Sequence, residues 1–266
     1  MQLTFQTESG KTFHLESPVP RAGGSIFVVA GHKTGSTLLE NIIKDISGKS
    51  GLPCIPVESG VWNQGISLNE WPQDLYRLLE KDGLVFHSFR WLQKLPGLAS
   101  FPAARKIFMI RDPRDVAVSY YYSMAKSHQL PPSGKSRDAI LALRSNLEMV
   151  DIDEFVQSDR AGPVLRNIQN FAAYLDDPAS TFYRYEEVIF NKREWVRQIA
   201  RDLSVELSDG DADAIADLRD IRPTQENVSA HIRQVTPGGY RSKLSEDSIR
   251  FIETKYPVFF TRYGYR

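Results

Sequence analysis

A lysine, a glycine and two hydroxyl residues lie close together in the segment GHKTGSTLLE, residues 31–40. Lys33 could place a positive charge beside an anion, Gly35 permits a tight turn, and Ser36 and Thr37 offer hydroxyl donors. Such a set suits a phosphate-like group held at the start of a helix. The lysine precedes the second glycine instead of following it, so this is not a Walker A loop. An ordinary capped turn between a strand and a helix would use the same residue types.

A second segment, MIRDPRDVAVSYYYS at residues 109–123, places an arginine at the start of a helix. Asp112 is suited to the N-cap, Pro113 to the first helical position and Asp115 to the third. Arg111, at the end of an apolar run, would then lie where the strand meets the helix and could clamp an anion. The alternative is a capped helix with a surface ion pair.

These segments belong to a chain in which short apolar strands alternate with helices. Residues 3–7 and 12–16, on either side of ESGK, predict a hairpin within residues 1–20. The predicted buried strands lie in 25–31, 82–89, 105–111 and 180–188, and the predicted helices in 36–46, 115–126 and 192–203. The alternation predicts a single α/β domain over residues 1–266, with a central parallel sheet flanked by helices. Residues 48–72 and 127–137 are predicted to be long loops on the substrate side.

The amino-acid composition limits the classes of molecule that this protein is expected to bind. The 266 residues carry 33 basic and 33 acidic side chains, which argues against a nucleic-acid or acidic-membrane partner. Residues 231–243 form a confined basic segment without an acid, which suits a small anion. Cys54 is alone and the five histidines lack metal-ligand spacing, so no metal site is expected. The N-terminus lacks a signal-peptide pattern and no apolar run would span a membrane, so the expected location is cytoplasmic.

Together the two segments resemble the sulfotransferases that use 3′-phosphoadenosine 5′-phosphosulfate (PAPS). The first family motif is P-K-[ST]-G-[ST]-T-W, and residues 33–37 match it. His32 replaces the proline, and Leu38 replaces a tryptophan that packs near adenine. The second motif, R-[DN]-P-[KR]-D-x-x-x-S-x-Y, is matched throughout from Arg111. The resemblance spans roughly residues 25–250 and implies the P-loop-like sulfotransferase fold.

The resemblance also implies how the donor would bind. The 5′-phosphosulfate would be held by the first motif: Lys33, Thr34, Gly35, Ser36 and Thr37. Arg111 and Ser119 would bind the 3′-phosphate, and Tyr185, in the segment RYEE, would contact the adenine.

The third family motif, R-K-G-x-x-G-D-W-K-N, is met only in part. Arg233, Gly238, Tyr240 and Arg241 fall in register with its arginine, second glycine, tryptophan and lysine. Gln234 and Val235 replace its K-G pair. The motif therefore adds Arg233, Gly238 and Arg241 to the residues implied in donor binding.

The implied reaction moves a sulfuryl group from PAPS to a hydroxyl or amine by in-line displacement. Lys33 would stabilise charge on the leaving phosphate, and no metal is required. The base is left between His87, in the region of the family's catalytic histidine, and Glu40, on the helix after the loop. His87 could instead be a core histidine, and Glu40 could simply pair with Lys44 four residues on. His32 and His128 are weaker candidates.

The acceptor is predicted to be a small or lipophilic alcohol or phenol, with lipid or carbohydrate acceptors also open. Trp62, Trp71 and residues 120–122 could line its pocket or could simply pack in the core. Two other functions are open: a kinase-like P-loop enzyme, which would need magnesium ligands, and a degenerate nucleotide-binding module without turnover. The sequence does not indicate an oligomeric state.

Overall fold

A five-stranded parallel sheet forms the centre of the computed structural model, which describes residues 1–127, 137–138, 141–142, 144–145, 150–222 and 235–266. The strands of the sheet are β3 (Ile26–Ala30), β4 (Cys54–Pro56), β5 (Val85–Phe89), β6 (Arg105–Ile110) and β7 (Ser180–Arg184), in the spatial order β4-β5-β3-β6-β7. A separate antiparallel hairpin pairs β1 (Gln2–Gln6) with β2 (Thr12–Glu16). The predicted hairpin and the predicted parallel sheet are confirmed.

The central strands are buried on both faces because helices cover both sides of the sheet. All five residues of β3 and of β5 are buried. The α-helices whose bounds lie within the described residues are α1 (Ser36–Ser50), α2 (Val57–Trp62), α3 (Gln73–Leu79), α4 (Pro113–Tyr122), α5 (Ile152–Gln157), α6 (Gly162–Asn170), α7 (Tyr185–Val188), α8 (Lys192–Asp202), α9 (Asp209–Arg219), α10 (Glu246–Lys255) and α11 (Val258–Thr261).

Two hydrophobic layers hold the helices to the sheet. On one face, Ile42 and Ile46 of α1 pack with Trp195 of α8 against the sheet. On the other face, α2, α4, α6 and the hairpin pack on a layer that contains Phe27 and Phe108. In the part of the chain that is described, no helix is long and apolar enough to cross a membrane.

The prediction of a long loop at residues 48–72 is wrong. This stretch contains the end of α1, the edge strand β4, helix α2 and a 3₁₀ turn at Leu68–Glu70. Val57 and Val61 are fully buried, so α2 belongs to the core. A three-residue strand and a six-residue helix are too short to produce a visible periodicity in the sequence. Most of the other predicted loop, residues 127–137, lies outside the described residues.

Candidate functional site

The carboxyl ends of three neighbouring strands bring the predicted anion-binding segments together. In the sheet register Val29 of β3 pairs with Phe89 of β5, and Ala30 of β3 pairs with Met109 of β6. The segments that follow these strands therefore start side by side, at the point where the strand order reverses direction. Such a switch point is where open α/β sheets bind ligands.

The loop between β3 and α1 has the geometry of an anion-binding turn. Lys33 and Gly35 both have left-handed backbones, with φ of 67° and 97°, and the Thr34 hydroxyl donates to the Gly31 carbonyl at 2.8 Å. α1 then begins at Ser36, and no described side chain caps its first turn. The N–H groups at the start of this fifteen-residue helix are therefore available to a negatively charged ligand.

Close packing requires glycine at both Gly31 and Gly35, and the left-handed backbone also favours it at Gly35. A Cβ at Gly31 would lie 2.4 Å from Cγ1 of Ile168, on α6. A Cβ at Gly35 would lie 2.7 Å from Cε of Met109 and 2.9 Å from Cδ2 of Tyr185. The sequence interpretation recognised the turn at Gly35, whereas the contact of Gly31 with α6 is visible only in the structure.

Arg111 is a buried cation beside this loop. Its side chain is 9% exposed, and its Nη1 donates to the Lys33 carbonyl at 3.3 Å. The guanidinium carbon lies 4.1 Å from the centre of the Tyr185 ring, and Nη2 lies 3.8 Å from Oδ2 of Asp115. The buried Nε has no hydrogen-bond partner among the described residues. A buried guanidinium with a spare donor can bind an anionic oxygen.

Tyr185 lies beneath Arg111 and against Gly35. It is 5% exposed, and its hydroxyl donates to the Val235 carbonyl at 2.9 Å. Burial raises the pKa of this hydroxyl, which keeps it in the neutral, donating form. Since little of the residue is exposed, the geometry favours support of Arg111 over the predicted contact with adenine.

The third segment is joined to α4 through its backbone. Gly238, with φ of 82°, and Tyr240 both donate their N–H groups to the carboxylate of Asp115, at 2.7 and 3.0 Å. The Arg241 guanidinium lies 4.9 Å from the centre of the Tyr240 ring. The N–H of Gly238 is thus used within the protein, while Arg241 is exposed.

Two other residues are predicted to contact the donor. Ser119 is half-buried on α4, two turns after the helix start at Pro113. Arg233 lies outside the described residues.

The two predicted bases differ in their surroundings. His87 is 2% exposed, and its Nδ1 is buried without a hydrogen-bond partner among the described residues. Desolvation lowers the pKa of His87 to about 4, so its imidazole is neutral at pH 7. β5 has an extra residue relative to β3 beside His87, where Ser88 has φ of 69°.

Glu40 is held in an ion pair near the loop. Its Oε2 accepts from Nη2 of Arg90 at 2.8 Å, and its Oε1 accepts from the Ser59 hydroxyl at 2.5 Å. Its ion-pair partner is therefore Arg90, across the space between α1 and β5, and not Lys44 on the same helix.

Glu58, in the first turn of α2, is a titratable residue of this site that the sequence interpretation missed. Its Oε2 accepts from the backbone N–H groups of Arg90 and Trp91, at 2.9 and 3.3 Å. Desolvation raises the pKa of Glu58 to about 7, although its hydrogen bonds and the charge of Arg90 oppose the shift. A carboxyl group with a pKa near 7 is suited to general base catalysis. In the sequence, Glu58 was visible only as a glutamate in a helix that the sequence analysis did not recognise.

Trp91, also missed, lies beside the anion-binding loop. Its ring centre is 5.3 Å from that of His32, and the residue is half-buried. Asn167 of α6 holds the backbone on both sides of Trp91: its Nδ2 donates to the Arg90 carbonyl at 2.7 Å, and its Oδ1 accepts from the N–H of Leu92 at 2.9 Å. Trp91 is therefore an aromatic residue whose backbone is held on both sides and whose ring lies next to His32.

The aromatic residues predicted for the acceptor pocket pack against the core. Trp71 is 8% exposed and packs near Phe89, at 6.4 Å between ring centres. Trp62 and residues 120–122 are half-buried against the same layer. Among the described residues, no group of three or more His, Cys, Asp or Glu side chains could hold a metal ion.

Comparisons with known proteins agree with this geometry. The profile of the sulfotransferase domain family matches residues 24–253. A mouse sulfotransferase complexed with PAP superposes with a TM-score of 0.60 at 15% identity, over 93% of this chain and 87% of that one. Retinol dehydratase in a complex with retinol and PAP gives a TM-score of 0.52 at 15% identity, over 100% of this chain and 92% of that one. No curated protein sequence matches significantly. At these identities the structural matches show a shared fold.

Proposed function

The chain belongs to the sulfotransferase domain family, and we propose that it transfers a sulfuryl group from PAPS to a hydroxyl or amine of a small or lipophilic acceptor. The observation that carries the choice of donor is the buried guanidinium of Arg111, in contact with the Lys33 carbonyl and with a spare Nε donor. It gives the site a second cation beside the anion-binding loop. A nucleotide with phosphate groups on both its 3′ and 5′ positions would contact both cations, Lys33 and Arg111.

In this proposal the loop binds the 5′ end of the donor. The uncapped N-terminus of α1 and the hydroxyls of Ser36 and Thr37 hold the 5′-phosphate. The acceptor oxygen or nitrogen attacks sulfur, the bond from sulfur to the bridging oxygen breaks, and Lys33 stabilises the charge left on that oxygen. The products are the sulfated acceptor and adenosine 3′,5′-bisphosphate (PAP).

Arg111, with Ser119, would bind the 3′-phosphate. The complexes of both related structures with PAP support this choice of nucleotide. Arg241, with Arg233 from outside the described residues, would complete that side of the site, and Gly238 would shape the turn that carries Arg241.

The acceptor's proton requires a base, and the surroundings of the candidates rank them. His87 is enclosed, and its lowered pKa makes it a weak base. Glu40 is already paired with Arg90. The Glu58 carboxylate accepts a hydrogen bond from the backbone N–H of Trp91. Its pKa of about 7 suits proton transfer at neutral pH. We therefore place Glu58 ahead of Glu40 and His87 as the base.

Calorimetric titration with PAP, 5′-AMP and ATP–magnesium tests the donor site directly. We expect PAP to bind without magnesium at least about tenfold more tightly than 5′-AMP, since the 3′-phosphate adds charge-assisted hydrogen bonds. A preference for ATP–magnesium would point instead to a kinase-like enzyme.

The degenerate-module alternative requires a separate measurement, because such a protein would bind PAP as well. The experiment is incubation of the chain with sulfur-labelled PAPS and a panel of phenols, alcohols and amines. Transfer of label to any member supports the enzyme. Tight PAP binding with no transfer across the panel would favour the binding module.

A further inference from the structure

Asp115 is a buried carboxylate that contacts two of the predicted donor-binding segments at once. It is the third residue of α4 and is 3% exposed. Its Oδ2 lies 3.8 Å from Nη2 of Arg111, on the segment that precedes the helix. On its other side both carboxylate oxygens accept backbone N–H groups, from Gly238 and Tyr240. These two residues lie at the start of a 3₁₀ turn, Gly239–Ser242, that carries Arg241.

Capping of the helix does not explain this carboxylate. α4 is already capped by Asp112, whose side chain accepts from the N–H of Arg114 at 2.9 Å. A buried carboxylate is costly unless it is paired and hydrogen-bonded. For Asp115 the compensation comes from Arg111 and from the turn together, so the carboxylate favours the arrangement in which both are in place.

The conformation of this 3₁₀ turn determines the position of Arg241. The Arg241 guanidinium rests over the Tyr240 ring, and a Cβ at Gly238 would meet its Nη1 at 2.4 Å. The position of this side chain therefore depends on the docked conformation of residues 238–240. Asp115 thus fixes one guanidinium directly and a second one through the turn.

We propose that Asp115 is a positioning residue for the 3′-phosphate, which couples occupation of the Arg111 site to docking of the turn that carries Arg241. The inference rests on the proposed function, because the 3′-phosphate belongs to the PAPS donor. Asp115 does not touch the phosphate. It holds the two cations in the arrangement that the phosphate requires. Fewer side-chain and backbone conformations therefore have to be restricted when the phosphate binds.

The first test compares Asp115→Asn with a matched control, Glu253→Gln. Asparagine keeps the volume but offers an NH₂ group where one backbone N–H now finds an oxygen, and it loses the charge beside Arg111. Glu253 pairs with Arg114 of the same helix at 2.7 Å and contacts neither Arg111 nor the turn by hydrogen bond. For Asp115→Asn we expect PAP affinity to fall at least about tenfold and 5′-AMP affinity to change less than about twofold, while Glu253→Gln changes neither beyond about twofold.

A general structural role of Asp115 would give a different result in the same titrations. If Asp115→Asn weakens PAP and 5′-AMP by the same factor, or leaves the ratio of the two affinities as in the wild type, the proposal is overturned. If the wild-type chain itself fails to prefer PAP, the proposed function fails, and the outcome is recognisable without any variant.

Hydrogen exchange in the wild-type chain supplies a test that does not depend on folding of the variant. We expect PAP to slow exchange of the Gly238 and Tyr240 amides more than 5′-AMP does at equal saturation, because only PAP occupies the Arg111 site. Equal protection by the two nucleotides would contradict the coupling. In Asp115→Asn, if folded, the extra protection by PAP should disappear.

Discussion

At the scale of single residues, we propose that Lys33 stabilises the charge that develops on the leaving phosphate. Because this charge appears only as the S–O bond breaks, Lys33→Ala should lower turnover by roughly 10²-fold or more while PAP affinity changes much less. The measurement is transfer of label from PAPS to an acceptor found in the panel, with calorimetry of PAP alongside. Lys44→Ala, on the exposed side of the same helix, is the control. Full activity of Lys33→Ala would remove its role at the leaving group.

Glu58 and His87 can be distinguished by pH, because their pKa values lie far apart. Only an ionised carboxylate accepts a proton, so with Glu58 as base the kcat/KM should fall about tenfold per pH unit below its pKa of about 7. With His87 as base the fall would begin only near its pKa of about 4. Glu58→Gln should lower the rate and remove the limb near pH 7. A limb that persists in Glu58→Gln would exclude Glu58 as the base.

At the scale of elements, α6 positions both sides of the site. Ile168 packs against Gly31 of the loop, and Asn167 binds the backbone on both sides of Trp91. Asn167→Ala removes two buried hydrogen bonds, so we expect the free energy of unfolding to fall by about 2 kcal/mol. Because Trp91 lies against His32 of the anion-binding loop, loss of its support should also raise the KM for PAPS.

Denaturant unfolding and steady-state kinetics check this prediction. Asn170→Ala, at an exposed position on the same helix, should change neither quantity. If Asn167→Ala leaves the KM for PAPS unchanged, α6 does not support the anion-binding loop through Trp91.

The elements also show what the sequence could reveal. The β3–loop–α1 and β6–α4 units were predictable because each combines an apolar strand with a local turn or cap, as at Gly35 and Asp112. Strand β4 and helix α2 were not, because they are too short for periodicity. Glu58 was therefore missed, and the pairing of Glu40 with Arg90 depends on β5, fifty residues away in sequence. Asp115 was recognised as a helix residue, but its bonds to Gly238 and Tyr240 join parts of the chain that no local pattern connects.

At the scale of the whole molecule, the site links segments from residue 31 to residue 241. A ligand that binds only the folded chain stabilises it by RT ln(1 + [L]/Kd), about 2.7 kcal/mol at 100 Kd. We therefore expect PAP, without magnesium, to raise the Tm, and 5′-AMP at the same concentration to raise it less. Thermal denaturation followed by circular dichroism measures both shifts. Equal shifts with the two nucleotides would show that the 3′-phosphate has no site of its own.

The order of strands also has a consequence for synthesis of the chain. β3, in the middle of the sheet, is made early, but its partners β5 and β6 end at residues 89 and 110. At ribosomal rates of about 5 to 20 residues per second, the 80 residues from Ala30 to Ile110 take roughly 4 to 16 s to emerge. For roughly the first 3 to 12 s, until the 59 residues from Ala30 to Phe89 have emerged, this apolar strand has neither neighbour, and we expect chaperones to bind the exposed surface of the nascent chain. Expression yield should therefore depend on chaperone supply more than the stability of the finished fold would suggest.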